Sequence, residues 1–307
     1  MQEKIEILLA TYNGKKYIKQ LLESIIAQTY SNWIVRVGDD SSSDGTYDIL
    51  LQYKEKYPDK FIIEQNIPGT GSAKLNFFQL MKKSTCEYVM CCDQDDVWLP
   101  EKIELTYNEM KKKEVGDTPV LIHTDIKVVD SDLNVLSDSF FKYSHYKKQF
   151  SYKDLLIQNY VTGCTIMMNR SLVQLINLEK HYDNLLMHDW FAALLAAALG
   201  QIGFVEQPTM LYRQHSVNSV GAKQYGFKLF LEKVKSQSLK KSIQNTTYQA
   251  RQLANTYATQ LDSELLELTK TYATIYGMNK VKRGYFCLKH GIVKNGIARV
   301  ICQLLLC

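Results

Sequence analysis

No run of 18 or more apolar residues occurs in this 307-residue sequence, so no segment is expected to cross a bilayer as a helix. The opening residues, Met1-Gln-Glu-Lys-Ile, lead straight into a strand-like run without the pattern of a secretory signal. No Cys-x-x-Cys pair marks a zinc site. The seven cysteines are an odd number, and Cys86, Cys91 and Cys92 lie in or beside an apolar run. They read as reduced core residues of a cytosolic protein. Acidic residues are scarce at one end only. Residues 223–307 hold 14 Lys and Arg against 4 Asp and Glu, a net of +10, whereas residues 1–222 hold 23 against 28, a net of −5. The overall +5 therefore hides an acidic body, residues 1–221, and a basic tail, residues 222–307, with the boundary near Gly221. No nucleic-acid recognition motif accompanies the basic charge, so a nucleic-acid partner is not expected.

What is present is enough for a substantial core: 46% of residues are apolar and 22% charged, which is ordinary for a globular chain. The body alternates strand and helix signals. Ile5 to Ala10 reads as a buried strand, and Tyr17 to Ala27 as a helix with Ile18, Leu21, Leu22, Ile25 and Ile26 on one face. Trp33 to Val37 is a second strand. A helix capped by Ser43 or Asp44 then runs to about Tyr57. Phe61 to Glu64 is a third strand and residues 72–83 a third helix. Val120 to Val129 and Val161 to Met168 each read as a strand, as do Ile202 to Val205 and Met210 to Arg213, with a helix over Phe191 to Leu199 before that last pair. Strands separated by short helices predict an α/β fold with a mostly parallel sheet flanked by helices. Functional loops are then expected at the carboxyl ends of strands, over residues 10–14, 38–45, 66–74 and 93–98.

One of those loops carries most of the chemistry. In Tyr88-Val-Met-Cys-Cys-Asp93-Gln-Asp95-Asp96-Val-Trp98-Leu-Pro100, an apolar strand ends in three carboxylates within four residues, and Pro100 opens a charged helix. Crowded carboxylates repel one another, and a divalent cation with oxygen ligands relieves that repulsion while bridging to substrate phosphates. Position sets this motif apart from Asp130-Ser-Asp132, a second D-x-D in the same chain.

Three segments in order, Ala10-Thr-Tyr-Asn13-Gly14, Asp39-Asp40-Ser-Ser-Ser-Asp44-Gly45-Thr46 and Cys92-Asp93-Gln-Asp95-Asp96-Val-Trp98-Leu-Pro100, resemble a bacterial family 2 glycosyltransferase of the GT-A fold. His123-Thr-Asp125, Val161-Thr-Gly163-Cys164, Met187-His188-Asp189-Trp190 and Leu211-Tyr-Arg213-Gln-His215 resemble its rhamnosyltransferase-like branch. The resemblance covers roughly residues 1–220. It implies an inverting transfer of a sugar from a nucleoside diphosphate, with dTDP-β-L-rhamnose the favoured donor and UDP-linked glucose, galactose or N-acetylglucosamine the alternatives. The acceptor it implies is a saccharide, often lipid-linked, in cell-surface polysaccharide synthesis. By the same resemblance Asp95, with Asp93, ligates Mn²⁺ or Mg²⁺, and His215 completes that site or contacts the diphosphate. Asp189 is the general base, or else only a helix cap. Ala10, Thr11, Asn13 and Asp40 contact the nucleoside, and Asp93 serves the nucleotide sugar; Lys74 reads as a contact to its diphosphate or else as a solvated loop lysine. Trp98 and Trp190 read either as apolar platforms for sugar rings on the acceptor side or as core packing, and Gly163 is expected on the acceptor side.

Residues 223–260 and 262–277 carry helical periodicity, and the segment from Lys280 to Cys307 interleaves basic with apolar residues. Such a segment suits an anionic membrane surface, which would place the enzyme at the cytoplasmic face of the cell membrane. The competing expectation is a helical hairpin packed on the body or on a second copy in a homo-oligomer. A sugar-phosphate nucleotidyltransferase shares the sheet and the metal requirement, but Ala10-Thr-Tyr-Asn-Gly-Lys15 lacks the Gly-rich, basic signature that class needs after its first strand. A non-catalytic membrane-binding module would leave Asp93, Asp95, Asp189 and His215 at strand-end loops without a task.

Overall fold

The computed structural model describes residues 2–215 and 238–306. The expected boundary near Gly221 and the start of the expected helix over 223–260 lie outside the described residues.

Eleven strands form two sheets among the described residues. The larger has the order β10-β6-β9-β4-β1-β2-β3. Its strands are β1 (Ile5–Thr11), β2 (Trp33–Asp39), β3 (Phe61–Gln65), β4 (Tyr88–Asp93), β6 (Val120–Thr124), β9 (Met167–Asn169) and β10 (Gln201–Val205). Only β9 runs antiparallel to its neighbours. Helices cover both faces, so β1 is buried at all seven positions and its sequence is nearly all apolar. Helices α1 (Ile18–Ile26), α2 (Thr46–Lys56) and α3 (Ala73–Lys83) make the first crossovers, and α1 buries Ile18, Leu21, Leu22 and Ile25 as its spacing predicts. Helix α2 starts at Gly45 in the left-handed region, and Asp44 accepts from the backbone and hydroxyl of Thr46 one step inside. The expected side-chain cap is thus a turn around Gly45.

Strand order reverses at β1: β2 and β3 lie on one side and β4 on the other. A crevice opens at the carboxyl ends of strands where the order reverses. The β1–β4 register sets Ala10 beside Asp93 at that point.

Two expected strands are corrected. Val120–Val129 is not continuous: β6 ends at Thr124, and β7 (Lys127–Val129) joins the smaller sheet. At the break, the Asp125 carboxylate accepts from the Ile126 and Phe140 backbones and the Ser139 hydroxyl, which fixes the chain as it changes sheet. Of the expected strand over 161–168 only Met167 and Met168 lie in the sheet, in β9; Gly163–Thr165 is a 3-10 turn whose Gly163 lines the crevice.

The smaller sheet has the order β5-β11-β7-β8, with β5 (Val97–Trp98), β8 (Val135–Ser137) and β11 (Met210–Arg213). Strand β11 pairs Met210 with Trp98 and Leu211 with Val97, which carries residues 213–215 back beside the carboxylate loop. The second D-x-D has a local role: Asp130 accepts from the backbones of Asp132 and Asn134 and closes the β7–β8 turn.

Past the undescribed segment come α9 (Ser238–Thr256), α10 (Ser263–Ala273), α11 (Lys280–His290) and α12 (Ile297–Leu306). Ile243, Ala250, Leu253, Tyr257 and Tyr272 share one apolar cluster with Leu8, Phe78, Val89 and Phe191 of the sheet layer. The Tyr257 hydroxyl donates to the Leu175 carbonyl at 2.7 Å, and the Leu186 backbone donates to Gln249 Oε1 at 3.0 Å. The described tail therefore packs on the body through its inner faces. No helix among the described residues is long and apolar enough to cross a membrane.

Candidate active site

The crevice is a cavity of about 1510 Å³, and the loops at residues 10–14, 40–41, 69–73 and 93–95 all line it. The opposite wall comes from residues 159–163 and 186–190. All four strand-end loops expected to be functional contribute.

Asp95 sits where β11 returns. His215 Nε2 lies 2.8 Å from Asp95 Oδ2, and the His215 ring stacks on Tyr17 with centroids 5.1 Å apart. Arg213, which is buried, fixes this arrangement. Its backbone donates to Asp96 Oδ1, its Nε to the Asp95 carbonyl, and its two terminal nitrogens to the Ser131 carbonyl and Gln20 Oε1. The guanidinium also lies over the Tyr17 ring, 4.4 Å from its centroid. Such a planar fork with several directed donors is a task lysine cannot perform. Asp96 is fully buried and anchors the loop from beneath.

The cluster is electrostatically strained. Burial, then the charges of Asp95 and Asp189, push the Asp93 carboxyl up to about 7. Burial, then Asp95 and Asp93, hold Asp96 well above the usual carboxylate range. Across the cavity, Asp189 lies in the first turn of α8 (His188–Leu199). It accepts from the backbone of Trp190 and from Asn159 Nδ2 at 3.3 Å. Burial nevertheless raises it to about 7, against the lowering effect of those bonds. A carboxyl poised near neutrality in a cleft suits a general base.

The first two strand ends are locked to each other. Asn13, at φ 49°, receives a bond from Ser43 through Oδ1 and donates its backbone N–H to Ser42 Oγ. Thr11 Oγ1 donates to Asp39. Gln94 bonds both the N–H and the carbonyl of Tyr12, which fixes the 11–14 loop to the carboxylate loop. A Cβ at Gly14 would stand 2.2 Å from Gln94 Oε1 and would displace the Gln94 side chain from its bonds to Tyr12.

Three expected contacts are relocated. Asp40 lines the cavity, but its two oxygens already accept from Thr70 N and Oγ1, Gly71 N and Asn66 Nδ2. It shapes the 66–71 loop. Lys74 Nζ donates to the carbonyls of Asp183 and Leu185, at 3.0 and 2.7 Å, and so ties down the far wall instead of facing a diphosphate. Trp98 is 2% exposed and packs in the core under Lys102, outside the cavity. Ala10, Gly163 and Trp190 do line it, and Trp190 Nε1 is spent on the Leu155 carbonyl. Sequence reasoning gave no role to Tyr12, 58% exposed at the cavity, to Lys16, or to Arg213 and Gln94. Only the place of Tyr12, Arg213 and Gln94 inside the quoted motifs hinted at them.

Residues 6–176 match the model of Glycosyl transferase family 2. The chain belongs to that family. It is also 30% identical over 223 residues to the dTDP-rhamnosyl transferase RfbG of Shigella flexneri, covering 70% of this chain and 74% of that protein. Among solved structures, the family 2 chain is similar to S. aureus TarS 1-349 in complex with UDP. The TM-score is 0.59 at 16% identity, over 93% of this chain and 75% of that one. It is also similar to the mannosyltransferase PcManGT from Pyrobaculum calidifontis in complex with GDP-Man and Mn²⁺. There the TM-score is 0.51 at 16% identity, over 99% and 87%. These likenesses establish the GT-A fold.

The residues present fit a divalent cation. Donor atoms of Asp93, Asp96 and Cys164 lie within 4.8 Å of one another. Burial holds the Cys164 thiol protonated, and a hard cation prefers oxygen, so the oxygens of this acidic cluster, with Asp93 and Asp95 facing the cavity, are what suits such an ion.

Proposed function

We propose that the chain transfers L-rhamnose from dTDP-β-L-rhamnose to a saccharide acceptor with inversion, in bacterial cell-surface polysaccharide synthesis. The carrying observation is that Asp189 lies across one cavity from Asp93, Asp95 and His215. The name of the S. flexneri relative supports the donor. Mn²⁺ or Mg²⁺ held by Asp95, Asp93 and His215 would neutralise charge growing on the leaving diphosphate. Tyr12 offers an exposed ring face to the nucleobase, and the locked 10–14 and 66–71 loops give the nucleoside a rigid seat. Asp189 takes the proton of the acceptor hydroxyl as its oxygen attacks the anomeric carbon from the face opposite the diphosphate. One displacement inverts that centre. Purified protein with Mn²⁺, offered dTDP-rhamnose and UDP-linked glucose, galactose and N-acetylglucosamine, is expected to consume dTDP-rhamnose fastest by mass spectrometry. Faster turnover of a UDP-sugar would overturn the donor assignment.

The acceptor in this reading is lipid-linked, and the enzyme works at the cytoplasmic face of the membrane. The support is the outer face of the tail. Val281, Tyr285 and Leu288 recur at helical spacing on α11 and are 82%, 66% and 56% exposed; on α12, Ile297 and Ile301 are exposed as well. Residues 280–306 hold six Lys and Arg and no acid. Each basic residue near an anionic surface is worth about 1 kcal/mol. Wild-type protein is expected to sediment with phosphatidylglycerol vesicles and not with phosphatidylcholine ones. Salt should weaken this, since screening acts over about 8 Å at physiological ionic strength. The triple variant Val281→Ser, Tyr285→Ser, Leu288→Ser should lose vesicle binding and keep turnover on a short soluble acceptor. Undiminished binding by the triple variant would end the membrane reading.

A further inference from the structure

Two polar side chains in the cavity wall have nothing to bond among the described residues. His188 is 2% exposed, and neither ring nitrogen has a partner. The Tyr160 hydroxyl, on a residue 1% exposed, has none either. Both residues line the cavity. Buried polar atoms are almost always paired in folded proteins, so orphans facing a cleft point to a ligand that pairs them.

The surroundings of His188 narrow the ligand. Its imidazole stacks on Phe77 with centroids 4.0 Å apart. Gly163 stands against the ring: a Cβ there would lie 2.8 Å from Nε2, so a side chain at 163 would press on this edge of the imidazole. Burial pushes the imidazole down to about 3, which keeps it neutral through the physiological range. A neutral imidazole carries one N–H donor and one acceptor nitrogen. A hydroxyl, itself donor and acceptor, matches that pair in either tautomer. A diphosphate would leave the acceptor nitrogen facing like charge. The position is also specific. His188 precedes Asp189, and Phe77 belongs to α3, whose start lines the cavity with Gly71, Ser72 and Ala73 on the nucleotide side. The imidazole therefore lies between the nucleotide wall and the base.

We propose that His188 binds a hydroxyl of the donor sugar and selects among donors through it, with the Tyr160 hydroxyl a second such contact. This rests on the glycosyltransferase reading above and deepens it. No covalent step is involved: His188 is a recognition group, and proton removal stays with Asp189.

The test compares wild type, His188→Leu and His188→Gln. Calorimetry measures binding of dTDP, UDP, dTDP-rhamnose, UDP-glucose and UDP-N-acetylglucosamine. For whichever nucleotide sugar wild type prefers, His188→Leu is expected to weaken binding about 10- to 100-fold, because the hydroxyl loses its partner in a desolvated site. Affinity for the bare nucleoside diphosphate should be unchanged. His188→Gln, which keeps a donor and an acceptor, should recover part of the loss. The pH profile of turnover should keep its shape in both variants, since the native imidazole does not titrate near neutrality. Equal affinity of wild type and His188→Leu for the nucleotide sugar would overturn the proposal. So would an equal loss for bare dTDP or UDP, which would assign His188 a purely structural role. If wild type binds none of the five, the donor reading proposed above falls, and this one with it.

Discussion

Replacing Asp95 by asparagine is expected to lower transfer by at least about 10²-fold, and EDTA is expected to abolish it until Mn²⁺ or Mg²⁺ is restored; several kcal/mol of charge stabilisation are at stake in such sites. The physical reason lies in the crowding at the end of β4. Asp93 and Asp96 are both pushed towards the protonated form, by burial first and then by neighbouring charge. A divalent cation reverses that balance by favouring the ionised form of each ligand. Asp95→Asn removes a charge but keeps the side chain's size and its neighbour His215, so the loop should hold its shape. Manganese binding followed by calorimetry should weaken in parallel with activity. Full turnover by the EDTA-treated, metal-free enzyme would remove the metal assignment.

The second large effect is expected at Asp189. Asp189→Asn keeps size and most hydrogen bonding but cannot take the acceptor's proton. A fall in kcat of about 10²-fold or more is expected, about 2.7 kcal/mol of barrier. Donor affinity should barely change, because the base acts on the acceptor. The raised pKa gives this prediction a pH signature. The base must be ionised, and burial places its titration near 7, so kcat/KM should climb as pH rises through about 7 and then level off. Stability runs the other way. A carboxyl raised from an ordinary 3.8 to about 7 by folding contributes stability that is fully present below the lower value and lost as pH rises through the upper one. At pH 8 the ionised, buried Asp189 is therefore a burden. Asp189→Asn should melt no lower than wild type there, which separates lost chemistry from lost folding. Calorimetry showing lost donor binding with the chemical step intact would contradict the role.

Much of this site was legible because its signals are local. Strand β1 and strand β4 are buried on both faces, so each reads as a short apolar run, and polar residues begin abruptly where each strand enters the crevice. The carboxylates of residues 93–96 and the turn at Asn13-Gly14 follow from that boundary alone. The quoted motifs near residues 161–164, 187–190 and 211–215 also marked the segments that the tertiary structure gathers around one cavity.

The rest depended on partners far away in sequence. Val120 to Val129 is apolar almost throughout, and only the change of sheet at Asp125, fixed by Ser139 and Phe140, divides it. Nothing near Asp40 announces that residues 66–71 will use both its oxygens, and nothing near Lys74 announces two carbonyls more than a hundred positions away. Trp98 looked like a platform because aromatic rings serve in cores and clefts alike; its pairing with Met210 on β11 decides for the core. Arg213 is the converse case. Its five directed bonds and contacts to Asp95, Asp96, Ser131, Gln20 and Tyr17 exist only because β11 returns beside β5. The sequence by itself determined most strands and helices of the larger sheet, since periodicity and turn residues act over a few positions, and its quoted motifs carried the resemblance to the family. Which carboxylates stay free, which cations face the cavity, and that the basic tail buries one face while exposing another were decided only by the tertiary structure, because a side chain's hydrogen-bonding capacity is finite and its claimants come from anywhere in the chain.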